Sequence, residues 1–219
     1  MKRLFILALP VLVVACSGGP PVPDWKMNAQ SALERSTNAW MAGRDLVEQN
    51  EFQHARDDIA ATGKVDLVIR AELIRCAART AALVFEDCAG FDALRADATP
   101  ADAAYAAYLA GRARPADAAL LPEPQRAVLA AASDTAAAST VKGIADPLSQ
   151  LVAAGALFKA SRATPELIAQ AIATASDQGW RRPLLAWLNV DALRAEGAGA
   201  TDEAARIRRR IALVEGQPR

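Results

Sequence analysis

Three proline-marked helix starts constrain the fold of this chain more than any other feature. Thr99-Pro100, Asp146-Pro147 and Thr164-Pro165 each place a capping side chain directly before a proline. Such pairs begin helices, because the side-chain oxygen accepts hydrogen bonds from free backbone N–H groups, and a proline at the first helical position needs no donor. The chain is also rich in alanine and poor in aromatic residues, and no segment alternates with the period of a strand. We therefore predict an all-α fold.

Glycines mark the ends of the predicted helices. They are Gly43, Gly63, Gly111, Gly179 and Gly197. We expect about eight to ten short helices, arranged as an array or bundle of antiparallel hairpins. The predicted spans are 27–42, 45–61, 65–84, 100–110, 123–132, 147–161, 165–176, 182–196 and 202–215. Residues 133–145 are the least patterned, and we expect a loop or a weak helix there, with a possible subdivision of the helical domain.

The N-terminus has the pattern of a cleavable export signal. Lys2 and Arg3 precede the apolar run Leu4–Ala15. As a helix this run would span about 18 Å, well short of the ~30 Å hydrocarbon core of a bilayer, and Pro10 weakens the helix further. We therefore expect residues 1–15 to be a signal peptide rather than a transmembrane anchor. A plain signal peptide followed by a chance cysteine is the alternative to the interpretation that follows.

The segment Val13-Val14-Ala15-Cys16 resembles the lipobox of bacterial lipoproteins. In that family the cysteine becomes the first residue of the mature chain and carries a covalent diacylglycerol and a further acyl chain. The resemblance implies lipidation at Cys16, no other cofactor, and the membrane as one partner. Ser17 replaces the aspartate that favours inner-membrane retention, which implies the outer membrane and a periplasm-facing chain. Residues 16–26 would form a flexible tether and residues 27–219 the helical domain.

Cys76 and Cys88 are an even pair in the oxidising compartment that this location implies. A straight helix through both would hold them about 18 Å apart, whereas a disulfide needs Cα atoms within about 7 Å. We therefore predict that the helix ends near Phe85 and that the chain turns back through Glu86-Asp87 to form a disulfide. Two buried free thiols are the alternative, and a redox or metal site is a further one.

Two hairpins resemble tetratricopeptide repeats. Residues 36–62 carry small and large side chains near that family's positions, namely Gly43, Leu46, Asn50, Phe52, Ala55 and Ile59. Residues 183–214 have large side chains on the first helix, a glycine-bearing turn and Ala204 opposite, although both hairpins lack the family's closing proline. The whole chain also resembles uncharacterised predicted lipoproteins of proteobacteria through PDWKMNAQSALER, RAELIRCAARTAALVFEDC and its cysteine spacing. This resemblance implies no activity.

The sequence marks no catalytic or metal site. His54 is the one histidine, and we expect it on the exposed side of a helix, with no serine or cysteine nucleophile marked beside it. One histidine and two cysteines that we expect to pair leave too few ligands for zinc. No dinucleotide-binding or P-loop motif occurs. Paired carboxylates remain an alternative, because a single sequence does not mark which acids face each other.

A basic cluster is the candidate docking patch for anionic groups such as phospholipid heads, lipopolysaccharide phosphates or an acidic partner. Its members are Arg181, Arg182, Arg206, Arg208, Arg209 and Arg210. A solvated helix face, with cations placed to suit the helix dipole, is the alternative that we favour.

Charge and the implied location together set the expected function. Without residues 1–15 the chain has 23 basic and 25 acidic residues, so no strong field attracts nucleic acid. We expect an outer-membrane lipoprotein that acts as a periplasm-facing helical interaction or assembly module without evident catalysis. It would hold a protein partner of the cell envelope. A cell-wall-modifying hydrolase that uses paired carboxylates, and a passive structural lipoprotein, are the alternatives.

Overall fold

A computed structural model describes residues 22–216, and within that range the chain is all-α, with no strand. This confirms the predicted fold class. The expected signal peptide, Cys16 and most of the expected tether lie outside the described residues. The helices are α1 (Asp24–Ala42), α2 (Asp45–Ala60), α3 (Val65–Ala81), α4 (Ala89–Asp92), α5 (Pro100–Leu109), α6 (Glu123–Leu129), α7 (Asp134–Lys142), α8 (Pro147–Lys159), α9 (Pro165–Asp177), α10 (Arg181–Gly197) and α11 (Thr201–Glu215).

The three predicted helix starts are observed with their capping hydrogen bonds. The Thr99 hydroxyl accepts from the backbone N–H of Asp102 at 3.2 Å, and the Asp102 carboxylate accepts in return from the backbone N–H of Thr99 at 3.0 Å. Asp146 caps α8 and Thr164 caps α9 in the same way, although without the reciprocal bond. The local chemistry of each cap therefore fixes where these helices begin.

Several predicted boundaries require correction. Helix α1 begins at Asp24, so residues 24–26 are helical and do not belong to a flexible tether. Gly197 is the last residue of α10, and the left-handed turn residue is Gly199, with φ of 70°. Of the two expectations for residues 133–145, the structure shows a helix, α7, and Ser133 caps it by accepting from the backbone N–H of Ala136.

Helix α7 also joins the main hydrophobic core. Ala137 and Val141 of α7 are fully buried and belong to the same cluster as Trp40 of α1 and Trp187 of α10. This cluster also contains residues of α3, α5, α6, α8, α9 and α11. The described residues therefore share one main core that extends across the whole segment 133–145.

Helix α3 lies at the centre of the array. One side packs on α1 and α2 in a small cluster around Phe52 and Val68, and another packs on α4 and α5 around Leu73 and Phe91. Its C-terminal turn enters the main core and crosses α8. Because α3 contacts both the α1–α2 hairpin and the C-terminal half, it holds the two parts together.

The last carbonyls of α3 all receive hydrogen bonds, which a buried helix end requires. The indole Nε1 of Trp40 donates to the carbonyl of Ala78 at 3.0 Å, and that of Trp187 donates to the carbonyl of Ala81 at 3.1 Å. Backbone N–H groups of residues 82–84 donate to the carbonyls of residues 79 and 80. Two tryptophans from opposite ends of the sequence thus fix the C-terminus of the central helix.

A disulfide joins Cys76 and Cys88, whose Cα atoms are 5.9 Å apart. Helix α3 ends at Ala81, slightly before the predicted end, and residues 82–88 run back in an irregular turn. The disulfide therefore closes this turn against the side of α3. No helix within residues 22–216 is both long and apolar enough to cross a bilayer.

Candidate functional site

An apolar groove of about 690 Å³ runs along α1 and is the candidate functional site. One wall is α1 between residues 25 and 38, and another is α3 between residues 67 and 74. The far wall comes from residues 146–148 at the start of α8 and residues 178–180 before α10. The volume is typical of ligand sites, which range over about 300–1,000 Å³. We call this feature the α1–α3 groove.

The two ends of the α1–α3 groove each carry a tryptophan. Trp25 lies in the first turn of α1. Trp180 directly precedes α10, and Arg182 of α10 donates to the carbonyl of Trp40 near the C-terminus of α1. At 1.5 Å per residue, the wall from Trp25 to Asn38 is about 20 Å long. The groove is therefore long enough for several turns of a helical peptide.

Apolar side chains form most of the lining, and charged side chains lie at its edges. Leu33, Leu67 and Ile74 line the groove, and Ile74 is 40% exposed although it is a large apolar side chain. The charged lining residues are all exposed: Lys26, Glu34, Arg70 and Asp146. An occupant would therefore contact apolar surface inside and charges of both signs at the rim.

The groove lining offers no buried polar atom that lacks a partner. In residues 22–216 the buried side-chain atoms without a hydrogen bond are the Tyr108 hydroxyl and the Gln170 amide nitrogen, and neither residue lines the groove. Burial also raises the pKa of Tyr108, which keeps its hydroxyl neutral. An occupant of the groove therefore needs apolar surface rather than a set of matching polar groups.

A smaller cavity of about 160 Å³ lies beside the disulfide and is lined by both cysteines. Two of its arginines are already engaged with acids, Arg79 with Glu86 at 3.6 Å and Arg95 with Asp92. These two arginines are therefore held by neighbouring acids, whereas Arg112 and Lys159, which also line the cavity, have no ion pair with any residue in the described range.

Several members of the predicted basic patch also make hydrogen bonds that connect helices of the fold. Arg181 donates to the carbonyls of Val214 and Glu215 at the end of α11. Arg182 donates to the carbonyl of Trp40 at 2.8 Å, and its guanidinium carbon lies 3.8 Å from the centre of the Trp40 ring. These two cations therefore hold helix ends together.

The other four arginines of the predicted patch lie on α11. Arg208 donates to Glu196 and Asn189, and Arg210 donates to Ser176. Arg206 and Arg209 are exposed and have no hydrogen bond or ion pair with any residue in the described range. Of the six arginines, Arg182 and Arg208 have acidic partners in the described range, namely Asp45 and Glu196, so the unpaired positive charge is smaller than the sequence suggested.

The buried acids form structural ion pairs. The Glu48 side chain is 2% exposed and accepts from Arg75 Nε at 2.7 Å and from Arg75 Nη2 at 3.1 Å. Glu72 is 8% exposed by side chain and accepts from Arg56 at 2.9 Å. Sequence analysis missed both acids, since their burial depends on how α2 packs against α3.

The titration of the carboxyl groups gives no support to paired catalytic acids. Hydrogen bonds from Arg35 and Arg114 lower the pKa values of Glu51 and Asp117. A general acid needs the opposite shift, towards a raised pKa. The acids of the groove also have other roles, because Glu34 accepts from Gln30 and Asp146 caps α8.

His54 is exposed on α2, as expected. No group of three or more His, Cys, Asp or Glu side chains among residues 22–216 is placed to hold a metal ion.

The sequence analysis did not find the α1–α3 groove. Its three walls come from at least four separate parts of the chain, so no local pattern marks it, and the nearest signal was Trp25 in the predicted tether. No protein-family model, curated protein or solved structure matches this chain.

Proposed function

We propose that this chain is a lipid-anchored interaction module of the bacterial outer membrane that faces the periplasm and has no catalytic activity. Cys16 carries the lipid in this proposal, and the α1–α3 groove binds an amphipathic helix of a protein partner. The groove is the observation that carries the proposal, because it combines an apolar lining, helical walls and rim charges of both signs. These are the features of helix-in-groove recognition.

The packing of the C-terminal half supports an interaction module built from helical hairpins. Helix α8 packs on α9, α9 on α10, and α10 on α11, so consecutive helices form neighbouring antiparallel pairs. We include in the proposal that these hairpins stack as they do in tetratricopeptide-like proteins, which present concave surfaces to partners.

The anchor is tested by Cys16→Ala. We expect this variant to incorporate no lipid label and to leave the membrane fraction, because it lacks the sulfur to which the diacylglycerol would be attached. Metabolic labelling with a fatty acid, followed by intact-mass measurement, gives the result. Ser17→Ala is the matched control and should keep the label. Normal labelling of Cys16→Ala would contradict the anchor assignment.

The groove is tested at Ile74, which lines it and is 40% exposed. A photo-crosslinking residue at position 74 should capture one partner in stoichiometric amount in intact cells. Ile74→Glu should weaken binding of that partner at least about tenfold, because a charge would enter an apolar contact worth more than ~1.4 kcal/mol.

Leu213 on α11 provides the matched control, since it is 67% exposed and does not line the groove. A crosslinker at position 213 should not capture the same partner, and Leu213→Glu should bind it normally. Equal capture from both positions, or none from position 74, would argue against the groove as the binding site.

A further inference from the structure

The N-terminal ends of α1 and α3 lie side by side at one end of the array. The Lys64 Nζ atom is 5.3 Å from the centre of the Trp25 ring. The other ends of the same two helices meet where Trp40 donates to the carbonyl of Ala78. Helices α1 and α3 are therefore parallel, and both begin at the end of the array where the described part of the chain starts.

This end exposes several apolar side chains around a half-buried tryptophan. Val22 is 51% exposed, Met27 is 49% exposed and Val65 is 38% exposed. Single exposed apolar residues need no explanation, but these three lie within three residues of Trp25 or Lys64 in the sequence, at one end of two adjacent helices. We call this surface the tether end and define it by Val22, Trp25, Met27, Lys64 and Val65.

The position of Cys16 identifies what the tether end contacts. Residues 17–23 separate Cys16 from α1, and a fully extended chain of this length reaches at most about 27 Å. If Cys16 is acylated, the tether end can never move farther than this from the bilayer. Such a tether raises the effective concentration of lipid to the millimolar range, so that even weak contacts become populated.

We propose that the tether end docks on the lipid surface, with the Trp25 ring at the level of the headgroups and Val22, Met27 and Val65 in contact with acyl chains. This proposal rests on the lipid anchor of the proposed function. Tryptophan favours the membrane interface because its large apolar ring carries one polar N–H group. The result is a fixed orientation of the domain instead of free rotation about the tether.

Apolar contact, and not charge, drives this docking. Lys26 and Lys64 lie at the tether end, but Asp24 and Asp66 lie beside them, and Asp57 and Asp58 are in the last turn of α2 at the same end. Because the positive charges are more than balanced, anionic lipids are not expected to strengthen the contact.

The docking would also fix the orientation of the α1–α3 groove relative to the bilayer. Trp25 belongs both to the tether end and to the groove lining, whereas Trp180 lies at the far end of the groove. With the tether end on the bilayer, the groove opens at the lipid surface and extends about 20 Å into the periplasm. A partner helix close to the membrane would therefore reach the groove most directly.

The test uses the acylated protein in vesicles whose acyl chains carry bromine, which quenches tryptophan fluorescence on contact. One set of vesicles contains phosphatidylcholine alone and another adds phosphatidylglycerol. We expect quenching in both sets and its loss in Trp25→Phe, because Trp40 and Trp187 are buried at 7% and 0% exposure and the half-buried Trp180 lies at the far end of the groove, away from the bilayer. The double variant Met27→Glu, Val65→Glu should reduce the quenching of Trp25 several-fold.

Leu46→Glu is the matched control, because Leu46 is 77% exposed and follows the turn at the opposite end of α1. It should leave the quenching unchanged. Equal quenching in the wild type and Trp25→Phe, or an equal effect of the two glutamate substitutions and Leu46→Glu, would overturn the proposal.

The result of the docking test can be distinguished from a failure of the proposed lipid anchor. If intact mass shows an unacylated Cys16, the proposed location fails, and the full-length chain is then coupled to a maleimide lipid through Cys16. That thiol is unique, since Cys76 and Cys88 are joined. Quenching of Trp25 in the coupled chain would support the docking surface, and its absence would overturn it.

Discussion

Gly155→Ala is expected to lower the free energy of unfolding by about 3 kcal/mol. Helix α8 crosses α3 at Gly155, and a Cβ atom there would lie 2.1 Å from the carbonyl oxygen of Thr80 and 2.8 Å from its carbonyl carbon. These are backbone atoms, so they cannot rotate away as a side chain would. The gain of about 1 kcal/mol from the higher helix propensity of alanine is therefore outweighed.

The position of Thr80 makes the clash harder to relieve. Its carbonyl accepts from the backbone N–H of Leu83, which has a positive φ of 57°. The neighbouring carbonyls of Ala78 and Ala81 are held by two tryptophans. A shift of this turn would therefore strain several hydrogen bonds together, and helix α8 is surrounded by the main core.

Urea unfolding followed by circular dichroism at 222 nm measures the effect. Gly197→Ala is the control, because Gly197 ends α10 and an added Cβ would meet no atom within 4 Å. That variant should be as stable as the wild type or more stable by about 0.5–1 kcal/mol. Equal stability of Gly155→Ala and Gly197→Ala would show that the α3–α8 crossing is not tightly packed.

Helix α8 also illustrates what the sequence can and cannot predict. The start of α8 was predictable because Asp146 and Pro147 act within one turn of chain. The need for glycine at position 155 was not, because it depends on a carbonyl 75 residues earlier in the sequence, at Thr80. Local capping fixes the ends of helices, whereas close helix crossings are set by the tertiary arrangement.

The same distinction explains the outcome for the candidate sites. Arg181 and Arg182 were grouped with the arginines of α11 because charge alone was visible. In the structure Arg182 instead caps the end of α1 and stacks on Trp40, more than a hundred residues away in sequence. A cluster of charges in the sequence does not show which of its members bind neighbouring helices. The α1–α3 groove was missed for a similar reason, because its three walls are far apart in the sequence and share no local sequence pattern.

Glu48→Ala is the second substitution with a large expected effect, about 3 kcal/mol of lost stability at neutral pH. Glu48 is buried on α2 and accepts two hydrogen bonds from Arg75, and Arg79 lies 3.5 Å from the same carboxylate. The side chains of Arg75 and Arg79 are only 28% and 17% exposed. Loss of the carboxylate would leave Arg75 without its counter-charge, and Arg79 would keep only Glu86, at 3.6 Å.

The pH dependence of this contribution follows from the pKa of Glu48. Burial alone would raise this pKa, but the hydrogen bonds and charges of Arg75 and Arg79 lower it below its usual value. Since the unfolded chain then binds the proton more tightly than the folded chain, stability rises with pH through this window. The contribution is complete above the unfolded pKa of about 4.3 and is lost as pH falls through the folded pKa.

Glu48→Gln isolates the charge, because the amide keeps the shape of the side chain. We expect it to be clearly less stable than the wild type at pH 7, and the difference should shrink as the pH is lowered below about 4.3. Glu51→Gln is the matched control, one turn along α2, where the partner Arg35 is 55% exposed and solvent screens the pair. Its unfolding curve should nearly coincide with that of the wild type. A Glu48→Gln difference that stays constant at acidic pH would contradict the assignment of this stability to the charge of Glu48.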